Sequence, residues 1–314
     1  MNTEKAVKET SHDRIYKEIR FCAYETFCTA GIAPEAGAGQ ILEECRRRAL
    51  KVQAVLNIYD PQAELSVLCQ SYKAGRPCRV SPLLFSFLER NLWLAARSMG
   101  GFDPTLGPVI LLWEQCGKEG RLPMEAELKA AMARTGWEHI HLKKENLEVI
   151  IDLPGMLIHP GASGKGFALD VVADYLKGQG VRDGYLDFGG NLYALGTHSF
   201  RAGIRHPQNP SRIMAVLPVK NQALSTSSWY EHYFEKDGKI YSHILRPADG
   251  QPVASELVSV SCLSLSAVVG DMLSTTFYVL GKNKGQSVAK ALEAQIGQPI
   301  GYVALDADGK LWRR

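Results

Sequence analysis

Between residues 200 and 263 the chain passes through four strand-like stretches, Phe200–Arg205, Ile213–Val219, Lys239–Ile244 and Leu257–Leu263, with no helical pattern between them. Strict βαβ alternation is therefore absent. That disfavours a doubly wound sheet and favours an α+β or layered α/β unit. The remaining pattern mixes both periods. Phe21–Ile32 reads as a strand and Gln40–Asn57 as a helix. Ser81 is a helix cap followed by Pro82 at the first helical position. Pro123–Thr135 reads as a helix, and His139–Leu142 with Leu147–Leu153 as a hairpin. Lys165–Lys177 is a helix closed by Gly178, leading into the strand Gly184–Phe188. Lys284–Ile296 reads as a helix, and GYVALDADGKLW as a hairpin turning at Asp308-Gly309. No linker is long enough to mark a boundary, so residues 19–314 read as one domain behind an N-terminal arm, residues 1–18.

Composition narrows the function classes. A hydrophobic fraction of 46% and a charged fraction of 22% belong to a globular protein, and a net charge of +3 is too mild to argue for nucleic acid. The densest basic run, Arg46-Arg47-Arg48, lies in a helical pattern with apolar Ile41, Cys45, Val52 and Val55, and reads as a solvated face. The 7 cysteines are odd in number and lack CxxC spacing, which favours a reducing compartment over a disulfide or zinc framework. The N-terminal stretch MNTEKAVKETSHDRIYKE has no apolar signal region, so the expected location is cytoplasmic. No stretch approaches the ~20 apolar residues of a membrane span.

Two stretches carry chemistry. SAVVGDMLSTTFYVLG is an apolar helix pattern that nevertheless holds Asp271, Ser274, Thr275 and Thr276. Asp271 and Thr275 share a helix face. A carboxylate and a hydroxyl there must be capped, hydrogen-bonded or bound to something. HPGASGKGFALD is no P-loop, because its glycines have the wrong spacing and no Ser or Thr follows Lys165. Glycines before a helix still leave N–H groups that favour an anion, and Lys165 adds a charge; a plain tight helix entry is the other reading.

Taken in order, GGFDPTLGPVILLW, GASGKGFALDVVADYLKGQGV, LDFGGNLYALG, YSHILRPADGQPV and GDMLSTTFYVLG resemble the ApbE family of FAD:protein FMN transferases. IYDPQAELSVL near the start is similar to a further family stretch. The resemblance spans about residues 20 to 305. It implies an α+β, single-unit, T-fold-like layering of sheet and helices, with FAD in a cleft and Mg²⁺ beside its pyrophosphate. It further implies that a Ser or Thr hydroxyl of an acceptor flavoprotein attacks the FMN-side phosphorus and that AMP leaves. Carried over by position, the metal ligands would be the Ala162 carbonyl, Asp271 and Thr275, with Ser274 contributing a backbone oxygen. FAD contacts would fall on Tyr24, Tyr59, Gly101, Phe102, Asp103, His159, Lys165 and Ile244. His243, in YSHILRP, would act as base or orienter. Family members are commonly exported, so the resemblance also admits an extracytoplasmic location.

The chain departs from the family pattern at His159 and Arg246, which stand at acidic positions, at Trp229, which replaces Asp, and at Tyr24-Glu25-Thr26, which replaces Met-Gly-Thr. His159 and Arg246 lead to the expectation of an unusually cationic anion site. The departures on the acceptor side leave two alternatives: a FAD-binding protein without transferase activity, or a FAD pyrophosphatase giving FMN and AMP.

Overall fold

The structure is a computed structural model that describes residues 15–206, 209–230, 233–306 and 308–314. Residues 1–14 of the expected arm lie outside the described residues, and its last two belong to the first strand, β1 (Lys17–Ala23). Strand β2 (Thr26–Ile32) follows at once. The single strand expected over Phe21–Ile32 is thus two, folded back at Tyr24-Glu25, whose φ values are 53° and 57°. Two left-handed residues in succession give the tight turn whose twist suits a hairpin. Neither is Gly or Asn, so nothing local announces the break. A tertiary contact holds it instead: the Tyr24 hydroxyl donates to the Ala49 carbonyl at 2.5 Å.

The first half continues with α1 (Ala38–Leu56), α2 (Glu64–Ser71), β3 (Pro77–Arg79) and α3 (Pro82–Ala95). As expected, the Ser81 side chain caps α3, accepting from Leu84 N–H at 3.2 Å. Then come α4 (Gly107–Lys118), α5 (Glu125–Met132), β4 (Ile140–Lys143) and β5 (Glu148–Ile151). The second half holds α6 (Gly164–Gly178), β6 (Asp183–Phe188), β7 (Asn191–Gly196), β8 (Phe200–His206), β9 (Asn209–Val219) and β10 (Gln222–Ser228). It closes with β11 (Tyr233–Lys236), β12 (Lys239–Ser242), β13 (Leu257–Ser264), α7 (Ala267–Ile296), β14 (Gly301–Asp306) and β15 (Leu311–Arg313). The two helices expected near the C-terminus form one run, broken at Gly281 with φ 74°. That left-handed backbone is one that Gly adopts at no steric cost.

The main sheet has 8 strands in the order β1-β2-β6-β7-β10-β13-β14-β15, all neighbours antiparallel. Helix α1 packs on β1 and β2, α6 on β6 and β7, and α7 on β10 and β13. Their apolar stripes, among them Leu42, Ala49, Phe167, Val172, Met272 and Phe277, share one core with Ile32, Phe188 and Cys262 of the sheet. Ala202 of β8 and Val219 of β9 join Ala194, Leu224 and Leu263 in a separate apolar cluster. Antiparallel neighbours need no helical crossover, which is why the sequence between residues 200 and 263 shows none. A smaller cluster of Leu106, Val109, Trp113, Ala131 and Leu245 joins α4 and α5 to the turn after β12. Trp113 Nε1–H donates to the Gly250 carbonyl at 2.8 Å and fixes that turn. Among the described residues no helix is long and apolar enough to cross a membrane.

Candidate active site

The loops that carry the sequence motifs meet around a cleft of about 770 Å³. Tyr24, Tyr59, Gly101, Phe102, Asp103, His159, Ala162, Lys165, His243, Ile244, Asp271 and Thr275 all line it. Of the residues carried over to the metal, FAD and base roles, Ser274 alone does not. It is fully buried behind the wall, donating to the Asp271 carbonyl at 2.8 Å. Sequence reasoning missed Ser227, Ser228 and Asn191, and an aromatic wall of Trp113, Phe234 and Tyr241. Phe234 and Tyr241 stack at 5.0 Å with 14° between planes. Their hairpin comes from β11 and β12, short strands of which only Tyr241 and Ser242 fall inside a quoted motif.

The floor of the cleft is the crossing of α6 and α7, where each helix supplies the carboxylate that caps the other. Asp271 of α7 accepts from Gly166 N–H, in the first turn of α6, at 2.9 Å. Asp170 of α6 accepts from Ala267 N–H at 2.6 Å and Val268 N–H at 3.2 Å, the first turn of α7, and from Arg90 Nη1 at 3.0 Å. Both carboxylates therefore satisfy N–H groups that a helix start leaves orphaned, at its positive end. The helices approach closely because residue 166 is glycine. A Cβ there would lie 2.6 Å from the Ala267 carbonyl oxygen and 2.7 Å from Asp271 Cβ. Lys165, half-buried, has no ion-pair partner among the described residues and faces the cleft beside this crossing.

One helical turn beyond Asp271 lies Thr275. Its hydroxyl is 3.0 Å from Ser227 Oγ of β10, which is also 2.8 Å from Ser274 Oγ. The β10 hydroxyl thus pins the polar face of α7 to the sheet. Two more polar groups on this wall are buried without a partner among the described residues: Asn191 Nδ2 and Ser228 Oγ. A buried polar group left unmade costs about 1–3 kcal/mol, so a cleft holding several is arranged for a polar ligand.

Residues 21–297 match the model of the ApbE family. The chain belongs to that family. A FAD:protein FMN transferase of Vibrio cholerae is 32% identical over 256 residues, covering 79% of this chain and 75% of the relative. One from Treponema pallidum is 29% identical over 283 residues, covering 82% and 77%. The ApbE protein of Thermotoga maritima superposes with a TM-score of 0.84 over 95% of this chain and 97% of that one, at 23% identity, which speaks for the fold alone. The flavin transferase ApbE of Vibrio cholerae gives 0.79 over 95% and 97%, at 26% identity. The fold is therefore the ApbE fold, α+β in a single layered unit.

Within the ApbE frame, each departure has a local physical account. His159 does not add positive charge as expected. Its Nδ1 accepts from Gly161 N–H at 3.0 Å, and burial holds the ring's pKa down at about 4, so it is neutral near pH 7. Arg246 is exposed, pairs with Asp249 at 3.0 Å and lies outside the cleft lining. The anion site is thus less cationic than the sequence suggested, with Lys165 its near cation. Trp229 also stands outside the lining, its ring edge-on to Tyr233 at 5.7 Å. Glu25 occupies a left-handed turn position where the family pattern has Gly.

Asp103 is committed to its own loop. It accepts from Thr105 N–H at 2.8 Å, from the Thr105 hydroxyl at 2.6 Å and from Trp137 N–H at 3.3 Å, while burial raises its pKa above the usual carboxylate value. Tyr59 donates to Glu114 Oε1 at 2.8 Å, joining two sides of the cleft. Among the described residues no group of three or more His, Cys, Asp or Glu side chains converges to hold a metal. What the floor does offer is one carboxylate, Asp271, with the Thr275 hydroxyl one helical turn away and Ala162 in the same cleft lining. All are oxygen donors of the kind a hard cation takes, too few to complete its shell without ligand oxygens.

Proposed function

We propose that this protein transfers FMN from FAD to a Ser or Thr hydroxyl of an acceptor protein, releasing AMP. The observation that carries the reading is the crossing of α6 and α7. A helix N-terminus, the Lys165 ammonium and the Asp271–Thr275 face meet there on one wall of a cleft. That is an address for a pyrophosphate. Mg²⁺ bound by Asp271, Thr275 and the Ala162 carbonyl would supply charge neutralisation to the phosphate oxygens.

The chain's own residues bind, orient and move a proton. Lys165 and the first turn of α6 hold the phosphates. Tyr24, stacked on Phe188 at 6.0 Å with its hydroxyl tied to α1, presents a fixed ring to the cleft. Tyr59, Phe102 and Ile244 add apolar surface for planar rings. The incoming hydroxyl oxygen attacks the FMN-side phosphorus, the bond to the bridging oxygen breaks, and AMP departs with that oxygen. His243, exposed at the cleft, takes the hydroxyl proton. Phosphoryl transfer asks little covalent help from a protein, which suits a site made of positioning groups.

A second reading follows from Trp229 and Arg246, the departures nearest the acceptor-side motifs: FAD bound without transfer, or cleaved by water to FMN and AMP. The test is incubation with FAD and Mg²⁺, with and without a Ser/Thr acceptor peptide, reading AMP by chromatography. Transfer predicts AMP that rises with acceptor and matches the flavin bound to it. AMP independent of acceptor favours hydrolysis. No AMP in either arm leaves only binding.

A further inference from the structure

His159 is held in one tautomer. Its Nδ1 accepts from Gly161 N–H at 3.0 Å, so Nδ1 carries the lone pair and the ring proton of the neutral form sits on Nε2. The ring packs close to the Gly161 backbone, where an added Cβ would lie 2.8 Å from both Nδ1 and Cε1. The His159 backbone is fixed as well, its N–H donating to the Pro104 carbonyl at 2.8 Å. Nε2 is buried and has no hydrogen-bond partner among the described residues, and the residue lines the cleft. A buried donor of this kind is completed by something that enters.

We infer that His159 is a specificity residue: its Nε2–H donates to a hydrogen-bond acceptor, a ring nitrogen, carbonyl or other oxygen, on the nucleotide in the cleft. A carboxylate at this position could accept from Gly161 N–H just as Nδ1 does. It would then show the cleft a second acceptor, where the imidazole shows a donor. The substitution thus preserves the turn and reverses the polarity that the ligand meets. A site built to pair one polarity binds the other less well, because a mismatched group is left buried and unpaired.

The inference rests on FAD as the ligand of the cleft, and the test separates the two. FAD is titrated by calorimetry into wild type, His159→Phe and His159→Asp, with thermal melts to show that each variant is folded. Phe removes both the donor and the turn acceptor; Asp restores the turn acceptor and lacks the donor. Both variants are expected to bind FAD about tenfold more weakly, the worth of one buried hydrogen bond. If His159 merely holds the turn, Asp restores affinity to the wild-type value, and that result overturns the inference. Wild-type protein that fails to bind FAD removes the reading beneath it and the inference with it. In parallel, ¹⁵N correlation spectra of histidine-labelled protein read the tautomer without any turnover. A protonated Nε2 whose resonance moves on adding FAD is expected, with His159→Phe identifying the signal. A protonated Nδ1, or an Nε2 signal indifferent to FAD, overturns it.

Discussion

Asp271 has two reasons to be where it is, and two substitutions separate them. It caps α6 through Gly166 N–H at 2.9 Å, and it is the carboxylate proposed to hold Mg²⁺. Asp271→Ala strands the Gly166 donor, costing about 1–3 kcal/mol, and removes a charge from a helix N-terminus, worth about 0.3–1 kcal/mol. Asp271→Asn keeps an acceptor for Gly166 and loses only the charge. At about 2 °C per kcal/mol for a chain of this size, Ala should melt roughly 3–8 °C lower and Asn within about 2 °C of wild type. Ligand linkage then isolates the second role. A ligand at 100 times its dissociation constant stabilises by about 2.7 kcal/mol, or roughly 5 °C here. The assay is a thermal melt of all three proteins with FAD, with and without Mg²⁺. We expect a Mg²⁺-dependent rise for wild type and none for Asn. An equal Mg²⁺-dependent rise in Asp271→Asn would refute the metal role and leave Asp271 a helix cap.

Three further outcomes follow from single contacts. Glu25→Gly relieves a left-handed turn position and should raise stability by about 1 kcal/mol, read by denaturant melts; a loss would mean the Glu25 side chain matters more than its backbone strain. Gly166→Ala drives a methyl into the Ala267 carbonyl and Asp271 and should cost about 1–3 kcal/mol, with flavin affinity falling because the floor spreads; an unchanged melt would contradict the close crossing. His159 is neutral in the folded chain down to a pKa of about 4, against an ordinary value of 6.5. The unfolded chain therefore takes up a proton first as pH falls. Its contribution is full above about pH 6.5 and is lost progressively toward pH 4, on the order of 3 kcal/mol in all. His159→Gln should flatten that part of the stability–pH curve, and a curve that matches wild type would show that the ring is not held neutral.

What the sequence disclosed and what it withheld divide along local and non-local lines. The Ser81 cap, the α6 entry and the polar face of α7 are spelled by neighbouring residues, and all were legible. That Asp271, Thr275, Lys165 and His159 line one cleft was expected only from the family resemblance, since nothing local brings α6, α7 and the loop at residue 159 together. The Tyr24-Glu25 turn was not legible, since it is stabilised by Ala49 on a helix rather than by Gly or Asn at the bend. The exchange of caps between Asp170 and Asp271 could not be read either. Each carboxylate serves a backbone about a hundred residues away. The charge expected at His159 failed for a related reason: burial, which depends on the whole fold, set its protonation. Strands β7, β10 and β11 were missed or left unassigned; β7 and β10 pair with strands far along the chain, and β11 is a four-residue strand held only by its hairpin with β12.

The account stands most directly on where FAD and a metal sit. A crystal grown or soaked with FAD and Mg²⁺ would show it. The account predicts FAD in the 770 Å³ cleft, with its pyrophosphate at Lys165 and the first turn of α6, and a cation bonded to Asp271 and Thr275. FAD bound elsewhere on the surface, or seated in the cleft with its pyrophosphate far from Lys165 and no cation at Asp271, would contradict it.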